Sequence, residues 1–198
     1  MSKKVYVFSN DTFAGLKGRL MADLMNLMHK RVHAWLARRI GNDAKNVLDV
    51  GCGGGGLVRA LCRRTGAKVT GIDYSPDMVR IAGARNQKAV RAGRVQLETA
   101  SVSSLPFEDD TFNTVTAFET IQFWPDAAAD LIEVRRVMKE GGALYIMNRL
   151  PKPSSKWYNV LPIKTVDDYK KVLAAARFDG ADVDTKTKPG WIIVRAVK

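Results

Sequence analysis

Two cysteines and two histidines are all that this 198-residue chain offers of the side chains that hold transition metals best. Cys52 and Cys62 have no metal-ligand spacing, so a reducing, cytoplasmic setting is expected. His29 and His33 stand four residues apart, the spacing of a metal pair on a helix. No Glu, Asp or Cys partner completes that pair, and no metal is expected. No apolar run is long enough to cross a bilayer, and Met1-Ser2-Lys3-Lys4-Val5-Tyr6 lacks the apolar stretch of a signal peptide. A membrane partner is therefore not expected. Internal repeats and low-complexity tracts are missing too. Acidic residues are scarce, 20 against 32 lysines and arginines, for a net charge of +12. The basic residues are dispersed in pairs such as Arg38-Arg39 and Arg135-Arg136, with no arginine-rich tail and no aromatic interleaving. A solvated basic surface and a polyanion-binding face both stay open.

What is present is organised around Asn46-Val47-Leu48-Asp49-Val50-Gly51-Cys52-Gly53-Gly54-Gly55-Gly56. Val47 to Val50 read as a buried parallel strand, and Leu57-Val58-Arg59-Ala60-Leu61 begins a helical pattern. A strand, a glycine turn and a helix let the backbone approach a ligand closely, because glycine has no Cβ and accepts positive φ. The unpaired amides at the helix start suit a carboxylate or phosphate. Gly51, Gly53 and Gly56 also satisfy G-x-G-x-x-G, the dinucleotide fingerprint. Asp49 argues against that reading: an anion there repels a pyrophosphate and pairs with a ligand that carries an ammonium group. A second strand, Lys68 to Asp73, ends in a carboxylate about one βαβ half-unit later, where ribose hydroxyls are bound in dinucleotide enzymes and methyltransferases alike.

The run Asp49-x-Gly51-x-Gly53-x-Gly55 resembles motif I of the class I S-adenosylmethionine-dependent methyltransferases, and Gly71-Ile72-Asp73-Tyr74-Ser75 resembles their motif II. The resemblance runs from about residue 15 through nearly the whole chain. It implies S-adenosyl-L-methionine as cofactor, with Asp49, Gly51, Cys52 and Gly53 at its amino-acid end. Asp73 would hold the ribose, and Tyr74 would pack on adenine. Met78 would reach back to the adenine or serve as a core methionine. Val95 to Ala100 is a third strand, and Ser101 to Phe107 resembles the adenine-recognition loop, with Ser101 where aspartate is usual and the Val102 amide toward a ring nitrogen. Thr114 to Phe118 is a fourth strand, which places Phe118 and Glu119 beside the sulfonium. Glu119 is a candidate for the cofactor's amino group, for orienting an acceptor, or for capping the next segment. Gly18-Arg19-Leu20-Met21, Met25-Asn26 and His29 resemble the segment ahead of motif I in small methyltransferases. His29 is then a candidate general base, or else a partly buried helix histidine.

Along the rest of the chain, Leu16, Leu20, Leu24, Met28, Val32 and Leu36 recur at helical spacing and predict one or two amphipathic helices over 15–40. Ser75-Pro76 opens a helix that runs toward Ala92-Gly93. Asp126 to Lys139 predicts a helix stopped by Gly141-Gly142, before a fifth strand from Ala143 to Asn148. Arg149 to Lys164 is a loop, with Trp157-Tyr158 as candidate roof residues. Thr165 caps a last helix, and Ala181 to Asp184 with Trp191 to Val197 make a closing hairpin.

Alternating βα units give a doubly wound α/β sheet. The resemblance adds a Rossmann-like, seven-stranded, mostly parallel sheet in the order 3-2-1-4-5-7-6 with a C-terminal antiparallel hairpin. Residues 1–44 would form a helical arm over the cofactor pocket and 45–198 the methyltransferase domain. The expected activity is in-line transfer of the sulfonium methyl to an acceptor, a small molecule first and an RNA second. The fourth strand ends without Asn/Asp-Pro-Pro-Tyr or Pro-Cys, which disfavours methylation of base amines and of pyrimidine carbons. A nicotinamide dehydrogenase and a non-catalytic cofactor- or RNA-binding module are the rival readings.

Overall fold

The apolar run ahead of the glycines forms β1 (Asn46–Val50) in the computed structural model, which describes residues 15–42, 44–155 and 158–198. Before it lies α1 (Gly15–Ile40). After it come α2 (Gly56–Thr65), β2 (Lys68–Asp73), α3 (Pro76–Arg85), α4 (Gln87–Arg91), β3 (Val95–Thr99) and β4 (Phe112–Phe118). The chain closes with α5 (Ala127–Val137), β5 (Met138–Arg149), α6 (Val166–Ala175), β6 (Asp182–Asp184) and β7 (Trp191–Val197). The strands form one seven-stranded sheet in the order β3-β2-β1-β4-β5-β7-β6. Strands β1 to β5 pair in parallel, and β7 runs antiparallel to both β5 and β6. This is the sheet and hairpin that the resemblance implies, on the doubly wound plan that the alternating βα units predict.

Successive side chains of a strand point to opposite faces. Leu48, Val50, Val115 and Ile146 therefore meet Leu131 and Val134 of α5 and Tyr169 and Leu173 of α6. Val47, Val69, Tyr145 and Met147 meet Leu36 of α1 and Leu57, Val58 and Leu61 of α2 on the other side. Each such side chain, fully buried, contributes about 1.5–3 kcal/mol.

Two boundaries and the facing of one helix differ from the sequence reading. The helix after Ser75-Pro76 breaks at Asn86, whose Nδ2 donates to the Gly55 carbonyl at 3.1 Å and the Ala82 carbonyl at 2.9 Å. That side chain closes α3 and ties it to the glycine turn. Helix α5 stops at Val137 rather than at the glycines, with Met138 already extended. Gly141, at φ 71°, instead lies in a bulge of β5, where the four residues between Met138 and Ala143 oppose the one between Phe112 and Thr114. The bulge is tied down by Lys198, whose Nζ donates to the Met138 carbonyl at 2.7 Å.

The third difference concerns α1. It is one helix of 26 residues, but its apolar stripe does not all turn inward. Leu36 is buried and Val32 half-buried, whereas Leu20, Leu24 and Met28 are exposed; Gly18, Ala22, His29 and His33 are buried in their place.

Candidate functional site

The parallel strands all end on one side of the sheet, and there the carboxyl ends of β1, β2 and β4 open into a cavity of about 570 Å³ under α1. Every residue expected from the sequence to contact the cofactor or take part in catalysis lines it. Asp49, Gly51, Cys52 and Gly53 come from the first turn, and Asp73, Tyr74 and Met78 from the second. Ser101 and Val102 follow β3, Phe118 and Glu119 end β4, and His29 descends from α1. Of the two candidate roof residues, Tyr158 is not part of the lining and sits under the Lys164 ammonium at 5.0 Å; Trp157 lies outside the described residues.

Asp49 is 1% exposed. It lies beside Thr116 across the β1–β4 pairing, and the Thr116 hydroxyl donates to its Oδ1 at 2.7 Å. Burial, reinforced by the charge of Asp73, pushes its pKa up to about 7 against that hydrogen bond. Among the described residues no basic side chain forms an ion pair with it. A cationic ligand group is what would offset this burial.

The glycine turn is shaped for close approach. A Cβ on Gly51 would collide with the Thr120 side chain, while one on Gly53, at φ 49°, would meet nothing within 4 Å. Gly53 thus presents bare backbone to open space. Its N–H donates to Asp73 Oδ2 at 2.8 Å, and the Ser75 N–H donates to Asp73 Oδ1 at 3.0 Å. Each Asp73 oxygen keeps a further acceptor site, and burial raises its pKa against these two donors. Cys52 is buried, and burial beside Asp49 and Asp73 holds its thiol protonated. What it contributes to the lining is a backbone position, and its N–H continues the ladder to the Ile72 carbonyl at 2.8 Å.

Met78 packs with Ala22 and Ile81, so it serves the core and the cavity wall together. Tyr74 is half-exposed at the rim. The Ser101 hydroxyl accepts from the Ser103 N–H at 3.2 Å, which uses part of its accepting capacity locally.

At the far end Glu119 has a φ of 56°, a conformation that costs a non-glycine residue about 1–2 kcal/mol. It is held there by its N–H donating to Met147 O at 2.9 Å and by the Arg149 N–H donating to its Oε1 at 2.7 Å. Arg149 Nη2 stands 3.2 Å from His29 Nε2. Arginine only donates, so Nε2 is the acceptor and the imidazole is neutral with its proton on Nδ1. Burial, then the Arg149 charge, lowers the His29 pKa, which agrees with this assignment although Glu119 Oε2 is 3.8 Å away. Phe118 lies edge-on to His29 and His33, at centroid distances of 5.2 Å and 4.6 Å.

Several residues that build the site carry no signal in the sequence. Asn26 Nδ2 and Arg85 Nη1 donate to the Gly54 carbonyl at 3.3 Å and 2.7 Å, and Asn86 takes the Gly55 carbonyl. Asn26 belongs to the stretch that resembles the family, but its task shows only once α1 is laid over the turn. Arg149 reaches Glu119 because β4 and β5 are neighbours, which spacing along the chain does not reveal.

The methyltransferase domain family matches residues 48–146, half of the chain. This chain belongs to the class I S-adenosylmethionine-dependent methyltransferases. It is 32% identical over 133 residues to a ubiquinone/menaquinone biosynthesis C-methyltransferase of a Geobacter species, covering 63% of this chain and 57% of that one. It is 29% identical over 176 residues to the 27-O-demethylrifamycin SV methyltransferase of Amycolatopsis mediterranei, covering 81% and 64%. The chain thus spans less than two thirds of either relative. A solved structure described as a putative S-adenosylmethionine-dependent methyltransferase of Methanococcus maripaludis superposes with a TM-score of 0.74 at 20% identity, covering 91% of this chain and 93% of that one.

Proposed function

We propose that this methyltransferase binds S-adenosylmethionine in the cavity under α1 and transfers its methyl group to a small-molecule acceptor. Asp49 carries the reading. It is a buried carboxylate with no basic side chain paired to it among the described residues, set beside a turn of bare backbone, and an ammonium group would supply the missing cation where a phosphate would be repelled. The cofactor supplies a methyl group already activated by its sulfonium.

In this reading the Gly51–Gly53 backbone and Asp49 hold the amino-acid end, and Asp73 takes ribose hydroxyls on its remaining acceptor sites. Tyr74, Met78 and Val102 enclose the base, with Ser101 at its polar edge. Phe118 and Glu119 border the reacting end, and the arm of residues 1–44 contributes α1 as the cover. The protein's part in the chemistry is alignment of the acceptor in line with the methyl group. His29 and Glu119 are the groups placed to take a proton when the acceptor must lose one. Arg149 covers His29 Nε2 and contacts Glu119, so either proton transfer starts with a shift of that guanidinium. A small molecule suits the remaining wall, in which Met21, Met25, Phe123 and Trp124 leave an apolar space. A cytoplasmic setting, in which the buried free thiols Cys52 and Cys62 stay reduced, belongs to the same reading.

Thermal unfolding with S-adenosylhomocysteine and, in parallel, with NAD tests the cofactor. At a hundredfold excess over Kd the right ligand adds about 2.7 kcal/mol of stability. Stabilisation by NAD alone overturns the proposal. Incubation with methyl-labelled cofactor and either a small-metabolite extract or total RNA tests the acceptor. Label found only in RNA transfers the case to the second reading, which the net charge of +12 favours.

A further inference from the structure

An amphipathic helix normally turns its apolar stripe to the core. The first half of α1 does the opposite. Leu20, Leu24, Leu27 and Met28 are 61%, 52%, 71% and 59% exposed, and Met21 and Met25 beside them are 48% and 41% exposed. Soluble monomers seldom leave so many large apolar side chains together on one short segment. The patch is also continuous with the candidate site, because Met21 and Met25 line the cavity at its edge. Helix α1 packs on α2 and α3 from its inner side, which leaves this face uncovered among the described residues.

Charge narrows what covers it. Arg19 precedes the patch, and Lys30 and Arg31 follow Met28 within one turn; all three are exposed and form no ion pair among the described residues. Asp23, the one acidic residue of α1, is already paired with Arg85. An apolar face framed by unneutralised cations, on a chain of net charge +12, fits an anionic surface. A second copy fits poorly, because a two-fold contact through this face brings basic frames of the same sign together.

We propose that the outer face of α1 docks this protein on an anionic lipid surface, Leu20, Leu24, Leu27 and Met28 entering the acyl boundary while Arg19, Lys30 and Arg31 meet the headgroups. The chain has no described helix long and apolar enough to span a membrane, and a peripheral contact of this kind needs none. The sequence-based expectation of no membrane partner rested on the lack of a spanning run and did not weigh a contact of this kind. Given methyl transfer in the cavity, on which this last step rests, the acceptors served are apolar molecules dissolved in that lipid, which pass Met21 and Met25 on entry.

Flotation with vesicles of phosphatidylcholine containing about one third phosphatidylglycerol, against vesicles of phosphatidylcholine alone, tests the docking. The protein is expected to float with the anionic vesicles and to be released by high salt. Leu24→Glu with Leu27→Glu should lower partitioning by at least about tenfold, and Lys30→Glu with Arg31→Glu by at least about fivefold for each cation lost. Neither pair lines the cavity, so thermal stabilisation by S-adenosylhomocysteine should be unchanged in both variants. That readout separates failure of the docking from failure of the cofactor reading. Absence of flotation, or flotation equal in the leucine variant, overturns the proposal. So does a dimer in sedimentation that Leu24→Glu with Leu27→Glu dissolves, which assigns the face to a second copy. Retention on immobilised polyglutamate without vesicle binding overturns it in favour of an acidic protein partner.

Discussion

On the α5–α6 face of the sheet, β1 and β4 present Leu48, Val50, Val115 and Ala117, and the covering helices answer with Leu131, Val134, Tyr169 and Leu173. On the α1–α2 face the same strands present Asp49 and Thr116 near the carboxyl ends, and α1 answers with Gly18, Ala22, Asn26, His29 and His33. The first face is closed by apolar packing. The second is finished with small and polar side chains because α1 covers a glycine turn and a cavity there. Gly54 shows the constraint: a Cβ on it would lie 2.5 Å from Asn26 Nδ2 and 3.1 Å from the Ala22 Cβ. The first half of helix α1 rides so close to the turn that large residues have no room on its inner side, and Leu20, Leu24 and Leu27 face out.

The largest effect expected from this contrast is in stability. Leu173→Ala, which opens the closed face, should cost about 2–5 kcal/mol in denaturant unfolding. Leu24→Ala, the same change on the outer side of α1, should stay within about 0.5 kcal/mol. Equal losses at the two positions would mean that the outer face of α1 is covered in the free protein.

Asp49 offers a second way to break the comparison, through pH. Its folded pKa of about 7 lies above the ordinary carboxylate value of 3.8. The stability of the ligand-free protein tied to this group is therefore fully present below about pH 4 and is lost as pH rises through about 7. The slope is at most about 1.4 kcal/mol per pH unit. Unfolding between pH 5 and 8 should show a steeper decline in the parent protein than in Asp49→Asn, where the raised carboxyls of Asp73 and Glu119 still contribute. Binding of S-adenosylhomocysteine should tighten over the same range in the parent protein only, since the ammonium group pairs with the ionised form.

Smaller effects come from the close fit of α1. Ala22→Leu should cost about 1–3 kcal/mol by overpacking against Met78 and the glycine turn, and should weaken cofactor binding as well as lower the unfolding midpoint. Asn26→Ala removes one of two donors to the Gly54 carbonyl, and since Arg85 remains, a loss of about 0.5–1.5 kcal/mol is expected. Loss of cofactor affinity without that loss of stability would make Asn26 a ligand contact rather than a support of the turn.

Much of this molecule is written locally. The Val47–Val50 run, the glycines after it, the carboxylates Asp49 and Asp73, the Ser75-Pro76 start and the Thr165 cap each act over a few residues. Ser75 accepts from the Met78 N–H, and Thr165 forms a capping box with Asp168, as those residue types predict. Where the reading went astray, distant partners decided. The helix after Ser75 breaks at Asn86 because that side chain reaches the Gly55 carbonyl, 31 residues away in the chain. Gly141 fills a bulge rather than a cap because Lys198 holds the preceding strand from the other end of the chain.

The amino-acid sequence by itself determined the order of strands and helices, the doubly wound sheet, and the glycine turn with its two carboxylates Asp49 and Asp73, because apolar period and glycine chemistry are short-range properties; the other site residues were expected from the resemblance to the family. Only the tertiary structure decided which side of α1 faces inward, that Asp49 has no basic partner among the described residues, and that Arg149 covers His29. Those outcomes depend on how closely segments far apart in the chain approach each other, and that distance is set by packing.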